Sequence, residues 1–341
     1  MASRKLRVLV VDDSPLVREV VSRGIAADAG MEVVATAANP FEARDRIEEY
    51  EPDVMALDVE MPRMNGIEFL RLLMPQYPMP VVVMSAVGGN VFDAMAAGAI
   101  DFVTKPDALG AEGRQAFVTE LVVKLKIAST AKVGVHKHHP GTVRRVGRGT
   151  GEGRGIVAIG ASTGGTEAIQ EVLSSFEADC PPIVIVQHMP PVFTRMYAER
   201  LNRECRMEVR EARDHDAVRP GLVLVAPGDR HMRLRRSGDG YIVRCEAGEK
   251  VSGHCPSVDV LFDSVAREAG RDAVGALLTG MGADGARGLL AMRQAGARTL
   301  GQDPESCVVY GMPMEAWKLG AVERQVSLEQ MAEAILEACG P

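Results

Sequence analysis

Aromatic residues make up only 4% of the 341 positions, with a single tryptophan. Stacking of bases on aromatic platforms, the common route to single-stranded nucleic acid, has few side chains to work with here. Positive charge is not in excess either: 39 Lys and Arg face 46 Asp and Glu, a net charge of -7. That balance argues against any general affinity for a nucleic-acid backbone or an anionic membrane surface. No cysteine occurs before Cys180, and the six present (180, 205, 245, 255, 307 and 339) include no C-x-x-C pair. Scattered single cysteines read as a reducing compartment, neither a disulfide framework nor a zinc site. No apolar run reaches the ~20 residues of a membrane span, and Val8–Val11 is too short for the core of a secretory signal. The expectation is a cytoplasmic protein with no nucleic-acid partner and no membrane insertion.

What is present suits an α/β protein. Hydrophobic residues reach 46% and glycine 35 positions, and the length suggests two domains at about 150 residues each. Charge finds the boundary. Residues 1–128 carry 13 basic and 19 acidic groups, and residues 155–341 carry 20 and 26. Between them, 129–154 carries 6 basic groups and 1 acidic, with six glycines and His136, His138 and His139. A glycine-rich basic stretch between two acidic, regularly patterned halves is a flexible linker. Its histidines have no nearby carboxylate or cysteine and read as solvated, with metal binding as the rival.

In the first half, apolar runs at Leu6–Val11, Val33–Ala37, Val54–Leu57, Val81–Met84 and Ala99–Val103 alternate with helical patterns. Five βα units with nearly continuous apolar strands imply a parallel sheet covered on both faces. Asp12 and Asp13 end the first strand and Asp58 the third, so the three carboxylates gather in one crevice at the strand ends. Such a cluster calls for a cation, and Mg²⁺ suits it because it takes few protein oxygens and keeps its waters. Ser85 ends the fourth strand and Lys105 follows the fifth. A hydroxyl and an ammonium beside these carboxylates are what the oxygens of a transferred phosphoryl group need.

These residues carry a resemblance. Val10-Val11-Asp12-Asp13-Ser14, Asp58 through Gly66, and Thr104-Lys105-Pro106 resemble the receiver domain of two-component response regulators, over roughly residues 4–126. The resemblance implies a flavodoxin-like sheet of order 2-1-3-4-5, with Asp58 as phosphoacceptor. It implies Mg²⁺ held by Asp12, Asp13, Asp58 and the Glu60 carbonyl, and Ser85 and Lys105 as the phosphoryl-sensing pair. Phe102 occupies the aromatic switch position.

The second half repeats the α/β logic with Ile156–Ile159, Ile183–Val186, Val223–Ala226 and Val274–Leu278, plus a hairpin of 231–236 and 240–245 and a helix over 258–269. Gly160-Ala161-Ser162-Thr163-Gly164-Gly165 follows a strand and opens a helix, a turn that exposes a serine hydroxyl near helix amides. A dinucleotide loop is the competing reading, but Ser162 replaces the glycine at which backbone must approach pyrophosphate. A purely structural turn is another. A nucleophilic serine needs a base and an orienting acid. His188 directly follows the strand Ile183–Val186, and Asp284 lies in the turn after Val274–Leu278. His215 and His231 have no buried strand ahead of them and read as surface residues. His254 starts a helix and can line the site without being the base. Asp259 and Asp263 fall in the helix, in solvated or capping roles. Sheet geometry therefore selects Ser162, His188 and Asp284.

The order Ser, His, Asp is not that of α/β-hydrolases. Gly160–Gly165, Gln187–Pro190, Pro256–Asp259, Gly280–Leu289 and Val309–Pro313 instead resemble the CheB-type protein-glutamate methylesterase domain, over about 155–338. The resemblance implies the same catalytic three, with Thr163, Met281 (through its backbone amide) and His254 as the oxyanion and substrate region. It implies a monomer that is a phosphorylation-activated hydrolase of glutamyl methyl esters on chemoreceptors. Glutamine deamidation, a chemotaxis histidine kinase as phosphodonor, and no cofactor for the ester reaction are implied as well. Cys255 departs from the pattern, standing where arginine is expected. The alternative is a response regulator that acts by binding, its hydrolase-like domain inert.

Overall fold

The computed structural model describes residues 4–86, 90–106, 111–134 and 155–340. The chain divides into two compact units, Met1–His136 and Lys137–Pro341. Residues 135–154 of the basic stretch, with its three histidines, lie outside the described residues.

The first unit runs β1 (Leu6–Val11), α1 (Pro15–Ala26), β2 (Met31–Ala37), α2 (Pro40–Tyr50), β3 (Val54–Asp58), α3 (Gly66–Leu73), β4 (Val81–Ser85), α4 (Val91–Ala96), β5 (Asp101–Thr104) and α5 (Ala111–Ala128). All strand pairs are parallel, in the order β2-β1-β3-β4-β5. Val8–Val11, Val54–Leu57 and Val81–Met84 are fully buried, as strands covered by helices on both faces must be. Each Val, Leu or Met side chain among them contributes roughly 1.5–3 kcal/mol on leaving water. Ser14, Asn39 and Asn65 cap α1, α2 and α3 through the amides of Val17, Glu42 and Glu68. Gly66 matters for position: a Cβ there would lie 2.3 Å from the Asp58 carbonyl oxygen, so glycine lets α3 start against the end of β3.

The second unit holds β6 (Ile156–Ala161), α6 (Gly165–Ser174), β7 (Ile183–Gln187), α7 (Phe193–Glu204), β8 (Glu208–Glu211), β9 (Ala217–Val218), β10 (Leu222–Val225), β11 (His231–Ser237) and β12 (Gly240–Glu246). It continues with α8 (Val258–Glu268), β13 (Ala273–Leu277), α9 (Ala286–Gln294), β14 (Arg298–Gln302), α10 (Met312–Lys318), β15 (Arg324–Val326) and α11 (Leu328–Ala338). Seven parallel strands form the main sheet in the order β15-β14-β13-β6-β7-β10-β8. From β6 the chain first builds one side of the sheet and then, at β13, crosses to the other. The β6/β13 boundary is thus a topological switch point, where the loops beyond the two strands diverge and leave a crevice.

The expected hairpin is present, β11 pairing with β12 from His231↔Glu246 to Ser237↔Gly240. Helix α8 packs between this hairpin and α9, and its Ser264 hydroxyl accepts the Leu234 amide at 2.8 Å. The sequence pattern missed β8, β9, β14 and β15. These strands are short or carry charged and polar residues along one face, so no continuous apolar run marks them. The fifth strand begins at Asp101 rather than Ala99.

Helices α8 and α9 approach closely because Gly288 has no side chain: a Cβ there would lie 2.7 Å from Phe262 Cβ and 2.9 Å from the Asp259 carbonyl oxygen. Gly288→Ala is expected to lower stability by about 1–3 kcal/mol through overpacking, read as a lower urea midpoint for the second unit.

Candidate active sites

The first unit gathers its acids as the strand ends dictate. Asp12, Asp13 and Asp58 each offer a carboxylate oxygen, all within 4.8 Å of one another, with Asp12 and Asp58 buried and Asp13 exposed. Lys105 Nζ lies 2.8 Å from Asp12 Oδ2 and 2.8 Å from Asp58 Oδ1. The Ser14 amide donates to Asp12 Oδ1 and the Glu60 amide to Asp58 Oδ1. Burial pushes the Asp58 carboxyl up to about 6, with Asp12 repulsion adding to it, against the opposing pull of Lys105 and the Glu60 amide. Burial also works against the Lys105 charge, but its two carboxylate partners hold its pKa above the ordinary lysine value. Three carboxylates face the Lys105 ammonium, with the Arg18 guanidinium on the Asp12 and Asp13 carbonyls, which still leaves a negative pocket open to solvent at Asp13, a donor set that fits Mg²⁺. Ser85 is buried and its hydroxyl donates to the Ala86 carbonyl at 3.2 Å. Phe102 is buried on β5, with Lys124 Nζ 5.0 Å above its ring.

In the second unit the register places Ala161 opposite Gln187, so Ser162 and His188 are the next residues of adjacent strands. The Ser162 amide donates to the Thr279 carbonyl at 3.0 Å, and the His188 amide to the Ala161 carbonyl at 3.2 Å. Gln187 Nε2 bridges the two turns, donating to the carbonyls of Ser162 (2.9 Å) and His188 (3.3 Å). Gly280 must be glycine, since a Cβ there would lie 2.7 Å from Ser162 Cβ. Thr279 Oγ1 joins the Thr163 carbonyl to Val309, and the Thr279 amide donates to Gln302 Oε1.

The imidazole of His188 is oriented by Asp284, with Nε2 2.7 Å from Oδ2. The other ring nitrogen, Nδ1, is buried with no hydrogen-bond partner among the described residues. Asp284 Oδ2 also accepts the Val258 amide, while Oδ1 accepts the Ser257 hydroxyl and the Asp259 amide. The carboxylate thus sits on the N-terminus of α8, where free amides and the helix dipole favour an anion. Burial works to raise its pKa, but the hydrogen bond and charge of His188, the Asp259 amide and the Ser257 hydroxyl together hold it below the usual carboxylate range.

His254 stacks on His188, ring centroids 3.6 Å apart and planes 8° from parallel. Thr163 is buried beside Ser162, and Met281 is 43% exposed at the rim. Cys255 is partly buried; burial, then Asp229, raises its thiol pKa.

Two sequence readings are corrected here. His231 is not a surface residue: it is 1% exposed, its Nδ1 accepting the Ser257 amide and its Nε2 bonded to the Glu249 carbonyl. Asp259 is buried rather than solvated, and the helix it caps is α9, through the amides of Gly285 and Gly288. Sequence reasoning also passed over Gln187, Thr279 and Gln302. Their only signal is position, each being the last residue of a strand or just beyond one.

Fold and sites define the class: a response-regulator receiver followed by an α/β effector unit with serine, histidine and aspartate at its strand ends. The chain belongs to the CheB methylesterase family, whose pattern matches residues 157–335, and residues 8–111 match the response regulator receiver domain. It is 57% identical over 335 residues, 98% of each chain, to protein-glutamate methylesterase/protein-glutamine glutaminase 2 of Syntrophomonas wolfei. It is 48% identical over 336 residues to the Salmonella typhimurium protein-glutamate methylesterase/protein-glutamine glutaminase, covering 97% of this chain and 96% of that one. Among solved structures, it is similar to the Thermotoga maritima CheB methylesterase catalytic domain, with a TM-score of 0.53 and 34% identity over 54% of this chain and 97% of that one.

The raised Asp58 pKa has a measurable sign. Between the unfolded value near 4 and the folded value of about 6, the folded state binds more protons, so stability falls as pH rises through that window. With divalent cations chelated, the first unit should lose roughly 2–3 kcal/mol between pH 4 and pH 7 through this group. Urea unfolding of Asp58→Asn should lack that component and show a more stable first unit at pH 7.

Proposed function

We propose that the chain is a phosphorylation-regulated protein-glutamate methylesterase and protein-glutamine glutaminase acting on chemoreceptors in the cytoplasm. The observation that carries the chemistry is the buried His188–Asp284 hydrogen bond of 2.7 Å at the same sheet edge as Ser162. An imidazole with one nitrogen on a buried carboxylate and the other without a hydrogen-bond partner among the described residues is arranged as a base, which favours the enzyme over a domain acting only by binding. The names carried by the relatives favour the enzyme reading too.

In this reading Ser162 Oγ attacks the γ-acyl carbon of a glutamyl methyl ester while His188 accepts its proton. Asp284 fixes the imidazole and stabilises the imidazolium, and the backbone amides near Thr163 and Met281 receive the oxyanion. The C–O bond to methoxide breaks, His188 returns the proton, and methanol leaves a glutamyl-Ser162 ester. Water then attacks with His188 again as base, restoring Ser162 and releasing glutamate. With a glutamine side chain the leaving group is ammonia, and no cofactor takes part. The protein acts as a monomer.

Regulation belongs to the first unit. Asp58 receives a phosphoryl group from a chemotaxis histidine kinase, in a pocket where Asp12, Asp13, Asp58 and the Glu60 carbonyl would hold Mg²⁺. When bound, the ion neutralises charge on the transferring phosphoryl oxygens. Lys105 and Ser85 read the product; Ser85 must first leave the Ala86 carbonyl. Phe102, buried within β5, passes the change outward. The basic segment joins the two units in one chain, so each meets the other at high effective concentration.

Ser162→Ala is expected to abolish methanol release from methylated receptor while Asp58 phosphorylation by a small phosphodonor proceeds unchanged. Turnover retained in that variant would sink the assignment. In the wild-type chain the phosphodonor should raise methanol release, and Asp58→Asn should remove that response.

A further inference from the structure

We infer that His231 is a positioning residue of the esterase site, an imidazole that clamps both ends of the segment joining β12 to α8. This inference rests on the esterase reading above. That segment, residues 247–257, carries His254 onto the face of His188 and ends at Ser257, whose hydroxyl donates to Asp284 Oδ1 at 2.7 Å. His231 holds its near end through Nε2, 2.8 Å from the Glu249 carbonyl oxygen, and its far end through Nδ1, which accepts the Ser257 amide at 3.2 Å. An amide N–H aimed at Nδ1 requires a lone pair there, so the ring carries its hydrogen on Nε2, where the Glu249 carbonyl accepts it.

Between these anchors the segment folds back on itself. Val251 and His254 exchange two backbone hydrogen bonds of 3.0 Å across a tight turn, with Ser252 and Gly253 both at positive φ. Ser252 Oγ donates to Asp259 Oδ2 at 3.0 Å, and Arg287 reaches the same hydroxyl at 3.2 Å. Gly248 packs on the ring itself, a Cβ there lying 3.0 Å from His231 Cδ2. His231 touches none of the reacting groups. Its effect passes through the Ser257 amide, which sets the hydroxyl on Asp284, while the Glu249 contact steadies the segment that carries His254.

Asparagine and glutamine separate the two contacts. In His231→Asn an amide oxygen can stand where Nδ1 stood and keep the Ser257 bond. In His231→Gln an amide nitrogen can stand where Nε2 stood and keep only the Glu249 bond. With full-length, phosphodonor-treated protein and methylated receptor, His231→Asn should keep kcat within about threefold, while His231→Gln loses roughly 10- to 100-fold in kcat, with KM little changed. A purely structural histidine would show loss of stability in both variants and no kcat difference between them. A His231→Gln protein with wild-type unfolding midpoint and wild-type kcat, or equal kcat losses in the two variants, would overturn the assignment. Should His231→Gln fail to fold, Gly248→Ala presses on the same ring from outside, and unchanged kcat there overturns it equally. Ser162→Ala in the same assay separates the failures. Turnover surviving in it sinks the esterase reading, whereas an inactive Ser162→Ala beside an unaffected His231→Gln sinks only the positioning role.

Discussion

The second unit depends on one carboxylate. Asp284 accepts four hydrogen bonds, from His188, the Ser257 hydroxyl and the amides of Val258 and Asp259. Two of those amides open α8, so the group that orients the imidazole is also the group that starts a core helix. Asp259, on that helix, returns the arrangement by capping α9 through Gly285 and Gly288. Each helix is begun by an acid from the neighbourhood of the other. The site is therefore continuous with the core, and the imidazole position follows from helix packing together with the turns that carry the site.

The two units treat buried carboxylates in opposite ways. Around Asp284, hydrogen bonds outnumber the cost of burial and the charged form is favoured. Around Asp58, burial and Asp12 outweigh Lys105 and one amide, so its carboxyl is raised to about 6. In the first arrangement the carboxylate's hydrogen bonds are supplied by the protein itself. The second leaves a deficit of positive charge beside its carboxylates.

The backbone of this organisation was legible because buried parallel strands are written as apolar runs, and the ends of those runs locate strand-end residues. Asp12, Asp58, Ser162 and His188 were found that way, and Asp284 from the turn beyond β13. His231 escaped because β11 belongs to a small antiparallel sheet and alternates arginine with apolar residues, leaving no buried run to flag its first position. Asp259 was legible as a helix residue, but which helix it caps depends on the α8–α9 crossing, which no local pattern encodes. Glycine told more than composition implied: Gly66, Gly280 and Gly288 mark places where backbones approach too closely for a Cβ.

Strand order carries a consequence for how the molecule is made. In the first unit, β1 finds its partners β2 and β3 within the next few dozen residues. In the second, the central strand β6 pairs on one side with β7 but on the other with β13, whose residues 273–277 emerge far later. A chain leaving the ribosome can thus complete its receiver while the hydrolase sheet still lacks half its neighbours. Ser162 and His188 emerge well before the turn that carries Asp284, so the sheet edge they share is completed late in synthesis.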